Sequence, residues 1–85
     1  MKTDIPGYTV IPSVRQLKKY DVYKDGKYLL SYGDIRYGHY YDKFKFYSDL
    51  DHLDDRRRYL YRIRHQYDHI KDPNYPGFWS YHYLW

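Results

Sequence analysis

Arg57, Tyr61 and Arg64 follow one another at spacings of four and three, so a helix through them brings all three to one side, with Arg58 and His65 beside them. Guanidinium groups bind phosphate bidentately and stack on bases. A tyrosine between them adds a flat platform, so the stripe has the composition of a nucleic-acid contact. The plainer use of the same residues is a solvated face. There Asp54 pairs with Arg58 and Asp68 with Arg64, one helical turn apart, each pair contributing about 0.3–0.5 kcal/mol. A second group lies at the end of the sequence, where Phe78, Trp79, Tyr83 and Trp85 carry too much ring area to be left in water. They are expected to fold back onto the domain or a neighbouring subunit, with a carboxylate at Trp85 captured by the fork of Arg57 or Arg64. The partner-binding residues expected from sequence are therefore Arg57, Arg58, Tyr61, Arg64, His65, Phe78, Trp79, Tyr83 and Trp85.

Other chemistries find less support. His65 and His69 stand one turn apart and could share a metal with His52, Asp51 or Asp68, but two histidines at that spacing are more often merely solvated. The sequence contains no glutamate, which rules out an HExxH motif and the bidentate ligand of a calcium loop. Asp49, Asp51, Asp54 and Asp55 read better as helix capping and dipole compensation. Ser80 and His82 are too close in sequence to suggest a catalytic triad, no glycine-rich phosphate loop is present, and the absence of cysteine removes thiol chemistry. No catalytic residue, metal or cofactor is expected, and the chain does not read as an enzyme.

Composition sets the frame for these residues. In 85 residues there is material for one hydrophobic core, and a chain this short buries about 60% of its unfolded surface. Fifteen tyrosines, three phenylalanines and two tryptophans, with no alanine, favour half-buried positions and interfaces over a dry centre. The formal net charge of +4 leans towards anionic partners. No signal-peptide pattern opens the sequence, and no window approaches the roughly 18 apolar residues of a membrane span.

The elements that must position the candidate residues follow from local pattern. Pro6 and Pro12 flank Tyr8-Thr9-Val10-Ile11, so residues 1–17 read as an extended arm or an edge strand. Between Lys19 and Tyr32, two β-favouring runs are joined by Asp25-Gly26, the signature of a hairpin with a type I′ turn. A two-residue loop sets Tyr23 opposite Tyr28 and Val22 opposite Leu29. Residues 35–46 have no clean period and read as a helical turn followed by a short strand. From Asp51 or Leu53 to Ile70 the pattern is helical, capped by Asp51 or Asp54 and stopped at Asp72-Pro73. Leu53, Leu60, Ile63, Tyr67 and Ile70 form the side expected to meet the hairpin. The expectation is a small α+β fold, with a hairpin or three-stranded antiparallel sheet packed on one amphipathic helix. The arm (1–17), the core (18–72) and an aromatic tail (73–85) are its parts.

Taken in order, Tyr23-Lys24-Asp25-Gly26-Lys27, Tyr32-Gly33-Asp34-Ile35-Arg36-Tyr37 with Tyr40 and Asp42-Lys43, then Leu50-Asp51-His52, Asp54, Arg57-Arg58, Tyr61 and Arg64-His65 form a pattern. It closes on Pro76-Gly77-Phe78-Trp79-Ser80 and Tyr83-Leu84-Trp85. Over about residues 20–85 it resembles a family of small proteins of the nucleocytoplasmic large DNA viruses, the giant viruses. That family supplies no functional residues to carry over. The resemblance implies a minor, capsid-associated structural protein located in the virion, and in the host cytoplasm during assembly. It would bind other viral structural proteins, or itself, through aromatic and arginine-rich surfaces. The alternative is a small basic nucleic-acid-binding protein that uses the Arg/Tyr helix face.

Overall fold

The computed structural model describes Thr3 and residues 5–85. In chain order it contains β1 (Tyr8–Pro12), β2 (Lys18–Lys24), β3 (Lys27–Asp34), a short 3-10 turn (Ser48–Leu50), α1 (Asp55–Arg64) and α2 (Pro76–Tyr83). The strands form one antiparallel sheet in the order β1-β2-β3, so the fold is small α+β, as expected. Asp25 and Gly26 take the positive φ angles of a type I′ turn, 51° and 82°, and Tyr23 faces Tyr28 across it. Val22, expected opposite Leu29, instead pairs with Leu30, because the register shifts at a bulge between Val22 and Tyr23. The amino-terminal segment supplies the edge strand, with Val10 facing Val22. Met1, Lys2 and Asp4 of that expected arm lie outside the described residues.

The sheet is covered by α2, not by the helix that the sequence pattern favours. Residues 73–85, expected to be a turn and a tail, form a turn followed by this second helix, which Pro76 opens at a position where a missing N–H costs nothing. Trp79, fully buried, packs its ring on Tyr8 and Tyr32 at centroid distances of 5.6 and 6.1 Å and donates its indole N–H to the Pro73 carbonyl at 2.8 Å. With Val10, Tyr20, Val22, Leu30 and Leu84 these side chains make the core. The carbonyls of Tyr83 and Leu84, at the carboxyl end of this helix, accept from the backbone N–H groups of Lys43, Tyr40 and Tyr41, fixing the long loop after β3. That loop has neither the helical turn nor the short strand expected of residues 35–46. A single bridge joins His39 to Asp51.

The helix α1 is shorter than its periodicity suggests, and it is rotated. Asp54 caps it, accepting from the Arg57 N–H at 3.1 Å. It stops at Arg64, because His65 and Asp68 bond to each other, side chain to side chain at 2.5 Å and backbone to backbone at 3.1 Å, offering the chain an alternative to another helical turn. Its half-buried residues are Arg58, Tyr61 and Arg62, followed by His65 just past its end, while Tyr59, Leu60 and Ile63 are exposed. The expected packing of Leu53, Leu60, Ile63 and Tyr67 on the hairpin is therefore overturned: all four are exposed. The cause is electrostatic as well as steric. Arg58 and Arg62 each donate from Nε to the Trp85 carbonyl oxygen, at 2.8 and 3.1 Å, which sets cations at the carboxyl end of α2, where the helix dipole favours them.

Candidate binding cleft on the arginine-rich helix

Within α1 stand five arginines against the single Asp55, a net of +4, equal to the formal net charge of the whole chain. The other residues carry ten cationic and ten acidic side chains, so the excess positive charge of the molecule belongs to one ten-residue helix. Arg58 and Arg62 are committed inward, their guanidinium groups 4.8 Å over the Tyr40 ring and 4.4 Å over the Tyr81 ring. Arg56, Arg57 and Arg64 are exposed and make no ion pair among the described residues. Neither pairing expected to neutralise the helix forms: Asp54 is occupied as a cap and Asp68 by His65.

Arg57 and Arg64 open onto a cleft of about 320 Å³, lined also by Tyr37, Gly38, Leu60, Tyr61 and Trp85. Thus the stripe expected from sequence, Arg57, Tyr61 and Arg64, does come together, and Trp85 joins it. The Trp85 ring lies flat on Tyr61, with centroids 4.3 Å apart and 6° between planes, and His65 approaches Tyr61 at 4.2 Å. Tyr61 is therefore part of the floor, and burial raises its phenol pKa. The open ring in the cleft is Tyr37, 64% exposed, which the sequence stripe does not contain. The Arg36 guanidinium lies over it, 5.6 Å from the ring centre.

What holds the Tyr37-Gly38 wall in place is a buried polar chain that starts on the central strand. Lys19 Nζ donates to the Tyr37 carbonyl at 2.9 Å and to His39 Nδ1 at 2.7 Å. His39, accepting at Nδ1, carries its proton on Nε2 and donates to Asp51 Oδ1 at 2.6 Å, which also accepts from the Asp42 N–H at 2.8 Å. The two Asp42 oxygens accept from the N–H groups of Phe44 and Tyr47, each at 2.9 Å, and from the Tyr20 hydroxyl. Burial pushes Lys19 down to about 8 against the pull of Asp42, Asp34 and Asp51, and burial together with the Lys19 charge holds His39 below its usual value. Burial and Arg57 act the same way on His52, whose ring lies 5.1 Å from that of Trp85. Its Nδ1 accepts from the Asp54 N–H at 3.0 Å, and its Nε2 is buried without a partner among the described residues.

The remaining candidates are scattered. Trp79 lies in the core and is not available to a partner. Tyr83 is half-buried, stacked between Phe44 at 5.1 Å and Trp79 at 5.2 Å. Phe78 lines a second cavity, of about 380 Å³, with Ile5, Lys43, His82 and Tyr83, on residues that α1 does not share. Arg58 and Arg62, not Arg57 or Arg64, hold the Trp85 main-chain oxygen. His65 bonds Asp68 while His69 stacks on Tyr75 at 4.0 Å, and no group of three potential metal ligands gathers among the described residues. Sequence reasoning missed Tyr37 and Gly38, together with the Lys19-His39-Asp51 chain behind them. A lysine and an aspartate at alternating positions of a strand, Lys19 and Asp21, carry the available signal, since both are buried there.

No family model, curated protein or solved structure matches the chain. Among the described residues no helix is long and apolar enough to cross a membrane.

Proposed function

We propose that the chain is a binding protein, without catalytic activity, whose α1 face engages the phosphate backbone of a nucleic acid. The observation that carries this reading is the confinement of the net charge to α1, with Arg56, Arg57 and Arg64 left unpaired beside an open cleft. Unpaired arginines on one helix face make a phosphate-binding footprint, and a neighbouring exposed tyrosine adds stacking. The test is fluorescence anisotropy with a labelled oligonucleotide at low salt. The wild-type chain is expected to bind, and the triple variant Arg56→Glu, Arg57→Glu, Arg64→Glu to lose binding while keeping its circular dichroism spectrum. Equal binding by both proteins would remove the reading.

A second reading, a minor structural protein of a giant-virus particle that binds neighbouring capsid proteins or itself, is favoured by a different observation. Tyr59, Leu60 and Ile63 on α1, together with Leu53 and Tyr67 at its ends, leave apolar area in water that a protein partner would cover. The resemblance of residues 20–85 to small proteins of those viruses supports it. Mass spectrometry of purified virions tests it, and absence from the particle rejects it. The two readings meet if the protein accompanies packaged DNA.

A further inference from the structure

We infer that the cleft beside α1 accepts one unpaired base of a single-stranded nucleic acid, stacked on Tyr37, with the flanking phosphates on Arg57 and Arg64. This rests on the reading of α1 as a nucleic-acid surface and adds to it a preference for unpaired strands.

Three features of the cleft bear on what it takes. Its volume of about 320 Å³ lies at the small end of the range for small-molecule sites, room for a single planar ring system. No aspartate is among its lining residues, and the main-chain oxygen of Trp85 is held by Arg58 and Arg62. The two arginines are seven residues apart, roughly 10 Å along the helix axis, so they suit separate phosphates on either side of an inserted base rather than one shared phosphate.

The identity of the platform follows from which rings are already occupied. Tyr61 is covered by Trp85 on one side and approached by His65, whereas Tyr37 stands out into solvent. Tyr37 is the exposed ring among the cleft-lining residues, and it is held at the cleft by its own backbone. Lys19 grips its carbonyl oxygen, and the ring, with the Arg36 guanidinium 5.6 Å from its centre, is otherwise open to a ligand. In a duplex the bases are paired and stacked inside, so only an unpaired base can enter without the cost of extrusion. An acidic or phosphorylated peptide would satisfy the arginines and leave the tyrosine bare.

The discriminating probe is a set of labelled dodecamers of equal charge: all thymidine, all abasic, and abasic with one central thymidine. Anisotropy titrations on the full chain are expected to give the all-thymidine strand about ten-fold tighter binding than the abasic strand. The single central thymidine should restore most of that difference. Tyr37→Ala should erase the difference without weakening the abasic strand, and circular dichroism establishes that this variant is folded. Equal affinity for the thymidine and abasic strands would overturn the inference while leaving α1 as a purely electrostatic surface. No binding of any strand at low salt by the folded protein would overturn the reading beneath it as well. Tighter binding of a phosphorylated peptide of equal charge than of the thymidine strand would also overturn the inference.

Discussion

Lys19 is a lysine whose ammonium group is spent inside the molecule, and its neighbour His39 must stay neutral to accept from it. Burial first, and the Lys19 charge second, hold His39 below its ordinary value of 6.5, since a protonated imidazole would present N–H to N–H and add a second positive charge beside the first. His52 is lowered too, by burial and by Arg57. When a folded-state pKa is depressed, the unfolded chain takes up the proton first. The contribution to stability is therefore complete above pH 6.5 and is lost as the pH falls from there through the lower folded values. The thermal midpoint, followed by circular dichroism, should be lower at about pH 5.5 than at about pH 7.5, and His39→Gln should narrow the gap between the two. The carboxylates with lowered pKa do not confuse this window. Asp34, held down by its hydrogen bonds from Arg36, titrates near 2. Asp21, which burial alone would raise, is kept below the usual carboxylate value by Ser13, Ser31 and Arg15. An unchanged midpoint across that range would mean that the Lys19-His39 pairing is not as described.

At the scale of elements, the decisive fact is which helix covers the sheet. With Trp79 fully buried against Tyr8 and Tyr32, Trp79→Ala should cost about 3–5 kcal/mol and leave little folded protein. Ile63→Ser on α1, at a position 47% exposed, should change stability by less than about 0.5 kcal/mol in chemical denaturation. The opposite ranking would restore the packing that the helical pattern suggests. The hairpin was legible because Asp25-Gly26 is a local signal, its φ angles dictated by the turn itself. Asp54 as cap and the α+β class were legible for the same reason. The facing of α1 was not, because apolar periodicity says which residues share a side and not which side meets the core. Here the inward side went to Arg58 and Arg62, whose donors answer the carboxyl end of α2. Without Trp79 identified as core, the last thirteen residues looked like a tail. For the cleft, Arg57, Tyr61 and Arg64 could be grouped from their spacing. Tyr37 could not, since it arrives through a loop held by a lysine from the central strand.

Across the whole molecule, charge and ring area are distributed differently. Ten cationic and ten acidic side chains cancel outside α1, and the aromatic rings of Tyr8, Tyr20, Tyr32 and Trp79 are consumed by the core. Fewer rings than composition suggests are left for a partner, yet Tyr37, Tyr59 and Tyr67 remain open on or near the basic helix. Charge of one sign gathered on one face steers an anionic partner during approach, and it ties affinity to counterion release. The direct measurement is the dependence of affinity for a single-stranded oligonucleotide on salt, for the wild-type chain and for Arg57→Gln with Arg64→Gln. The account predicts a linear fall of log affinity with log salt, with the slope reduced by about two in the double variant, roughly one per lost phosphate contact. A slope that is the same in both proteins, or no binding even at low salt, would contradict it.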